Sequence, residues 1–168
     1  MEEKGSRPRR ANELGPIGAL VATNVIALRK ELGLTTEQVA ERMTELGRPM
    51  LANTITKIEK AQRRVDADDL VALALALEAR PDRLLLPFTL VGEAQLADSQ
   101  TVKALDAWLW ANGRRPLDRP QDDDGRHFNA WQARVQPPGL AEFKHKPEDW
   151  EGLIWNGPAQ VAEEPGED

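Results

Sequence analysis

From about residue 18 to residue 86, apolar side chains return at helical spacing, and glycine or proline breaks the pattern again and again. A chain so punctuated folds as a succession of short amphipathic helices. In "GALVATNVIALRKELG", Leu20, Ala27 and Leu28 share a face, Val21, Val25 and Leu32 lie beside them, and Gly33 supplies a stop. In "LTTEQVAERMTELG", Thr35 and Gln38 have the spacing of a capping box. Val39, Met43 and Leu46 repeat behind them, and Gly47 closes the segment. Pro49 turns the chain away from helix. Leu51, Ile55 and Ile58 then form the narrow apolar stripe of a third helix. Asp66 is placed to cap a fourth, with Leu70, Leu73, Ala74 and Leu77 facing inward, and "PDRLLLP" opens a fifth at Pro81. No stretch alternates convincingly with period two, and the predicted fold class is all-α.

Charge divides the chain. Residues 1–88 carry 14 Lys/Arg against 13 Asp/Glu, and residues 89–168 carry 8 against 15, so the formal −6 is the sum of +1 and −7. The acidity belongs to the second half and does not oppose an anion-binding surface in the first. Tryptophan divides it too, since Trp108, Trp110, Trp131, Trp150 and Trp155 all follow Phe88. With no cysteine, disulfides and thiolate metal sites are excluded, and His127 and His145 have no third ligand near in sequence. No metal or other cofactor is expected. No apolar run approaches a membrane span, and "MEEKGSRPRR" lacks the apolar core of a signal peptide, so no membrane and a cytoplasmic location are expected.

The third helix is locally basic. On a helical wheel Leu51, Ile55 and Ile58 cluster on one side, while Asn53, Thr56, Lys57 and Lys60 fall opposite, with Glu59 at the flank. Such a face suits the major groove of DNA, which admits one α-helix and displays base edges: Asn bridges adenine, Lys reaches guanine acceptors, and Thr pairs with either or meets a thymine methyl. A solvated outer face of an ordinary bundle has the same composition, and the wheel alone does not separate the two.

The order of elements does more. "LRKELGLTTEQVAERM", "ITKIEKAQRR" and "DDLVALALAL", in this order and spacing, resemble the Cro/repressor-type (Xre) helix-turn-helix family over roughly residues 18–86. The resemblance implies a five-helix, lambda-repressor-like domain whose recognition helix, about residues 51–61, lies in the major groove while the preceding helix crosses the backbone. It implies base-reading positions at Ala52, Asn53, Thr56 and Lys57, and phosphate contacts from Thr36, Gln38, Lys60, Arg63 and Arg64. Arg29 and Glu59 match an internal ion pair of that family; a phosphate contact is the other reading of Arg29, and an unpaired Glu59 would repel DNA. Two departures stand out. Ala61 occupies a place where Gly is customary, and the turn "TELGRPML" is long, as in variants from high-GC bacteria and their mobile elements.

The expected organisation is a flexible basic tail over 1–16, the helix-turn-helix domain over 17–87, a partly ordered, mainly helical Trp-rich accessory region with an acidic linker over 88–156, and a disordered acidic tail over 157–168. The basic tail reads either as an arm that tracks the DNA backbone or as a solubilising end. "TVKALDAWLWANGRRPL" predicts a helix with Val102, Leu105, Trp108 and Leu109 on its apolar stripe, and "RHFNAWQARVQ" and "PEDWEGLIW" predict short helices. The Trp residues serve as docking anchors, as a dimer interface or as a pocket for a small ligand. No phosphate loop, nucleophile elbow or paired-His spacing supports an enzyme, and Asp122–Asp124 lie in a solvated linker. Two function classes stay open. One is a sequence-specific DNA-binding transcriptional regulator, a homodimer on double-stranded DNA in the nucleoid. The other is a protein-interaction module or antitoxin-like protein on a helix-turn-helix scaffold, taking a protein or small-ligand partner through its Trp-rich region.

Overall fold

The computed structural model describes residues 14–118 and 125–137. The chain runs α1 (Pro16–Glu31), α2 (Thr36–Glu45), α3 (Ala52–Glu59), α4 (Ala67–Ala76) and α5 (Pro81–Leu85), then β1 (Glu93–Ala97), β2 (Gln100–Lys103), α6 (Ala104–Ala111) and α7 (Arg126–Val135). Several helices begin or end for a local reason. Pro16 opens α1, the Thr35–Gln38 capping box opens α2, and the Asp66 carboxylate accepts the Asp69 N–H to open α4. Helix α3 ends in a Schellman motif: the Gln62 N–H donates to the Lys57 carbonyl at 2.8 Å and the Ala61 N–H to that of Ile58 at 2.9 Å. The pivot of that motif needs the left-handed region, and Ala61 adopts it at φ 56°. In α1 and α2 the same job falls to Gly33 and Gly47.

The five helices close one core. Val21, Val25 and Leu28 of α1 meet Val39 and Met43 of α2, Ile55 and Ile58 of α3, Leu73 and Leu77 at α4, and Leu84 of α5. Asn24 is buried on the same side of α1, and its amide is fully used. It donates to the carbonyls of Leu84 and Leu86, both at 3.0 Å, and accepts from Arg83 Nη1 at 2.9 Å. These bonds tie the end of the helical block to α1, and a buried amide left without them would be costly. The Arg83 guanidinium lies 3.8 Å from the centre of the Phe88 ring, and its burial lowers its pKa.

The all-α expectation is incorrect. Residues 93–103, part of a region expected to be mainly helical and with its last three residues placed in a helical segment, form an antiparallel hairpin pairing Glu93 with Lys103, Ala94 with Val102 and Gln95 with Thr101. Ala94 and Leu96 point inward between exposed Glu93, Gln95 and Ala97, a period-two pattern in strands only five and four residues long. Val102 therefore belongs to a strand, α6 starts at Ala104, and the accessory region is not mainly helical up to that point. The hairpin packs against α1, and a second cluster gathers Leu86, Ala94 and Ala107 with Leu96, Val102 and Trp108 around them. Trp108 Nε1 donates to the Pro87 carbonyl at 2.8 Å. Trp131 of α7 is buried beside Phe128.

Smaller expectations also change. Leu51, placed on the inner stripe of the third helix, is largely exposed, and Ala27, Leu32, Leu46 and Leu105, each placed on an apolar stripe, are exposed in part. The basic tail, the acidic linker, Trp150, Trp155 and the "PEDWEGLIW" helix lie outside the described residues. Among the described residues no helix is long and apolar enough to cross a membrane.

Candidate nucleic-acid interface

Helices α2 and α3, joined by residues 46–51, pack on each other, and α3 leans on α1 behind them. With Ile55 and Ile58 buried beneath, the outer face of α3 presents Asn53, Lys57 and Lys60, all exposed. Thr56 is half-buried, and its hydroxyl donates to the Ala52 carbonyl at 3.1 Å, which leaves the oxygen able to accept. Ala52, also half-buried, contributes only a methyl at the first turn. Asn53, Thr56, Lys57 and Lys60 thus share one polar strip.

Glu59, the single acid of this helix, is turned away from that strip. Arg29 of α1 meets it with two bonds, Nε to Oε1 at 2.5 Å and Nη2 to Oε2 at 3.1 Å, while Arg29 Nη1 donates to the Leu34 carbonyl at 2.9 Å. The side chains are 17% and 11% exposed, so the pair is largely withdrawn from water. The bond to Glu59 raises the Arg29 pKa. A bidentate pair in this position removes the negative charge of Glu59 from the outer field and fixes α3 against α1.

The first turn of α2 is more occupied. Thr36 donates its hydroxyl to Glu37 at 3.3 Å, and the Glu37 carboxyl is held below the usual range by its own backbone N–H and by the Thr35 hydroxyl. Gln38 spends its side-chain oxygen on the Thr35 N–H at 2.8 Å, leaving the amide nitrogen as its outward donor. The cations after α3 differ among themselves. Lys60 is exposed at the helix end, Arg63 lies 3.7 Å from the buried carboxylate of Asp69, and Arg64 is exposed.

Residues that spacing did not single out organise the turn. Arg48 Nε and Nη2 both donate to Asp69 Oδ1, at 2.9 and 2.7 Å, and Nη2 also reaches Asp66 at 3.4 Å. The Asp69 contact raises the Arg48 pKa. Arg42 of α2 is tied to the other end of α4, donating to the Ala76 carbonyl at 2.8 Å and to Glu78 at 2.9 Å. Helix α2 and the turn after it are therefore each tied to α4 by a guanidinium group, Arg42 near the end of α4 and Arg48 near its start. The sequence offers only a hint of this, in that Asp68 and Asp69 crowd behind the capping Asp66 and Arg48 stands alone in the turn.

No protein-family model, curated protein or solved structure matches this chain. The case for function rests on the geometry.

Proposed function

We propose that the protein is a sequence-specific DNA-binding transcriptional regulator of helix-turn-helix type, with α3 in the major groove and α2 across the backbone. The observation that carries this reading is the outer face of α3. Asn53, Lys57 and Lys60 stand exposed on one strip, and Arg29 neutralises the helix's one acid on the opposite flank. Base edges in the major groove are read by amide, hydroxyl and ammonium groups of this kind. Such regulators commonly act as homodimers on inverted repeats, and the reading includes that arrangement.

The test is selection of binding sites from random duplex by the wild type and by Asn53→Ala and Lys57→Ala. Each variant should relax preference at its own base pair, at a cost of about 1–3 kcal/mol. Unchanged site preferences in both variants would refute the assignment. A second reading, a protein-interaction module, draws on Phe88, Leu90 and Val91, three large apolar residues exposed in one short run. Failure to shift any duplex at low salt would favour it.

A further inference from the structure

Leu51 is 72% exposed although it stands at the N-cap of a helix whose neighbours Ile55 and Ile58 are buried. The position is an uncomfortable one for leucine. N-caps favour Ser, Thr, Asp or Asn, whose side-chain oxygen satisfies an orphan N–H of the first turn, and α3 has no side-chain cap. Nor does Leu51 pin the helix entry. That task, an apolar contact between the residue before the cap and the fourth helical residue, falls to Met50, which packs against the core cluster that holds Ile55. An exposed leucine here adds nothing to the fold and forgoes a cap.

Its surroundings give it a use. Leu51 immediately precedes the first turn of α3, next to Ala52 and two residues before exposed Asn53. In a helix laid in the major groove, the N-terminal residues meet base edges. The apolar feature offered there is the C5-methyl of thymine. Asn53, two residues further along the chain, has the chemistry to bridge adenine.

Resting on the DNA-binding reading above, we propose that Leu51 is a specificity-determining residue that packs on the 5-methyl group of a thymine facing the start of α3. The full chain therefore prefers duplexes with thymine at that base pair. The contact is apolar, involves no charge, and contributes to specific binding but not to binding of random duplex.

The experiment replaces each thymine of the selected site in turn by deoxyuridine, which deletes the methyl and leaves base pairing intact. Wild type should lose about fourfold in affinity at one thymine, the worth of one buried methyl. Leu51→Ser should bind the thymine and deoxyuridine duplexes equally. The same substitution supplies a capping hydroxyl, so it should raise Tm while lowering specific affinity, a combination that a merely structural leucine would not produce. If the protein selects a sequence but no thymine is methyl-sensitive, or if Leu51→Ser keeps the wild-type sensitivity, the Leu51 inference is overturned and the placement of α3 stands. If the protein selects no sequence at all, both fall.

Discussion

Removing the Glu59 carboxylate tests whether the inner flank of α3 is structural. In Glu59→Ala the Arg29 guanidinium keeps its bond to the Leu34 carbonyl and loses both bonds to the acid, in a site where the two side chains are 17% and 11% exposed. Breaking a fully buried ion pair from one side costs about 3–5 kcal/mol. Partial exposure lets water reach the stranded cation, so about 2–3 kcal/mol is expected here. For a domain of this size each kcal/mol moves Tm by about 4–8 °C, which predicts a fall of roughly 10–20 °C. The double variant Arg29→Met/Glu59→Leu removes the charge together with its partner and should recover most of the loss, because two apolar groups in place of a buried pair are close to neutral. Thermal melts followed by far-UV circular dichroism of the wild type, both singles and the double give the coupling. If Glu59→Ala shifts Tm by less than about 3 °C and binds duplex more tightly, the acid was a solvated repeller of phosphates and the structural reading fails.

Three further outcomes are expected. Ala61→Gly relieves a left-handed alanine at φ 56° and should stabilise by about 0.5–1 kcal/mol, while Ala61→Val should destabilise; melts that rank the three otherwise would mean that the Schellman turn is not formed. Lys60→Ala should weaken specific and random duplex alike and reduce the slope of log affinity against log salt by about one phosphate's worth; a loss confined to the selected site would assign Lys60 to base reading. A fragment ending at Phe88 retains the whole cluster built on Val25, Met43, Ile55 and Leu73 and sheds a segment of net charge −7, so it should fold and bind random duplex more tightly than the full chain; an unfolded fragment would show that the hairpin and α6 share in the core.

What the sequence disclosed and what it hid follow from range. The cap at Thr35 and Gln38, the inner face of Ile55 and Ile58, and the awkward Ala61 are local, and spacing alone carries them. Leu51 misleads because it lies at the azimuth of Ile55 and Ile58 on a wheel but precedes the first helical residue, where the chain is extended at ψ 152°. The hairpin escapes notice for three reasons. Its inward residues include a small Ala94, a register shift between Gln95 and Ala97 breaks the alternation, and its turn, Asp98 and Ser99, lacks the glycine that marks tight hairpins. The Arg48–Asp69 contact joins residues 21 apart, and no period reports a pairing at that distance.

In the proposed DNA-binding role, that last contact lets a long turn hold α3 at a fixed angle. A loose connection would let α3 wander relative to α2, and fixing its orientation on DNA would then cost entropy at each binding event. Arg48 answers this by clamping the turn to the start of α4, where Asp69 is buried with its side chain 4% exposed and Asp66 already serves as the cap. Arg63 approaches the same carboxylate more loosely, at 3.7 Å against 2.7 Å, with about half of its side chain in water. The two arginines therefore divide one acid unequally. Arg48 is committed to the turn, and Arg63 can exchange a weak contact for a phosphate at little cost, because Asp69 retains Arg48. In the proposed DNA complex the cations that count in the salt dependence are therefore the exposed ones, Lys60, Arg63 and Arg64, whereas Arg48 would act on binding only through the angle at which α3 is held.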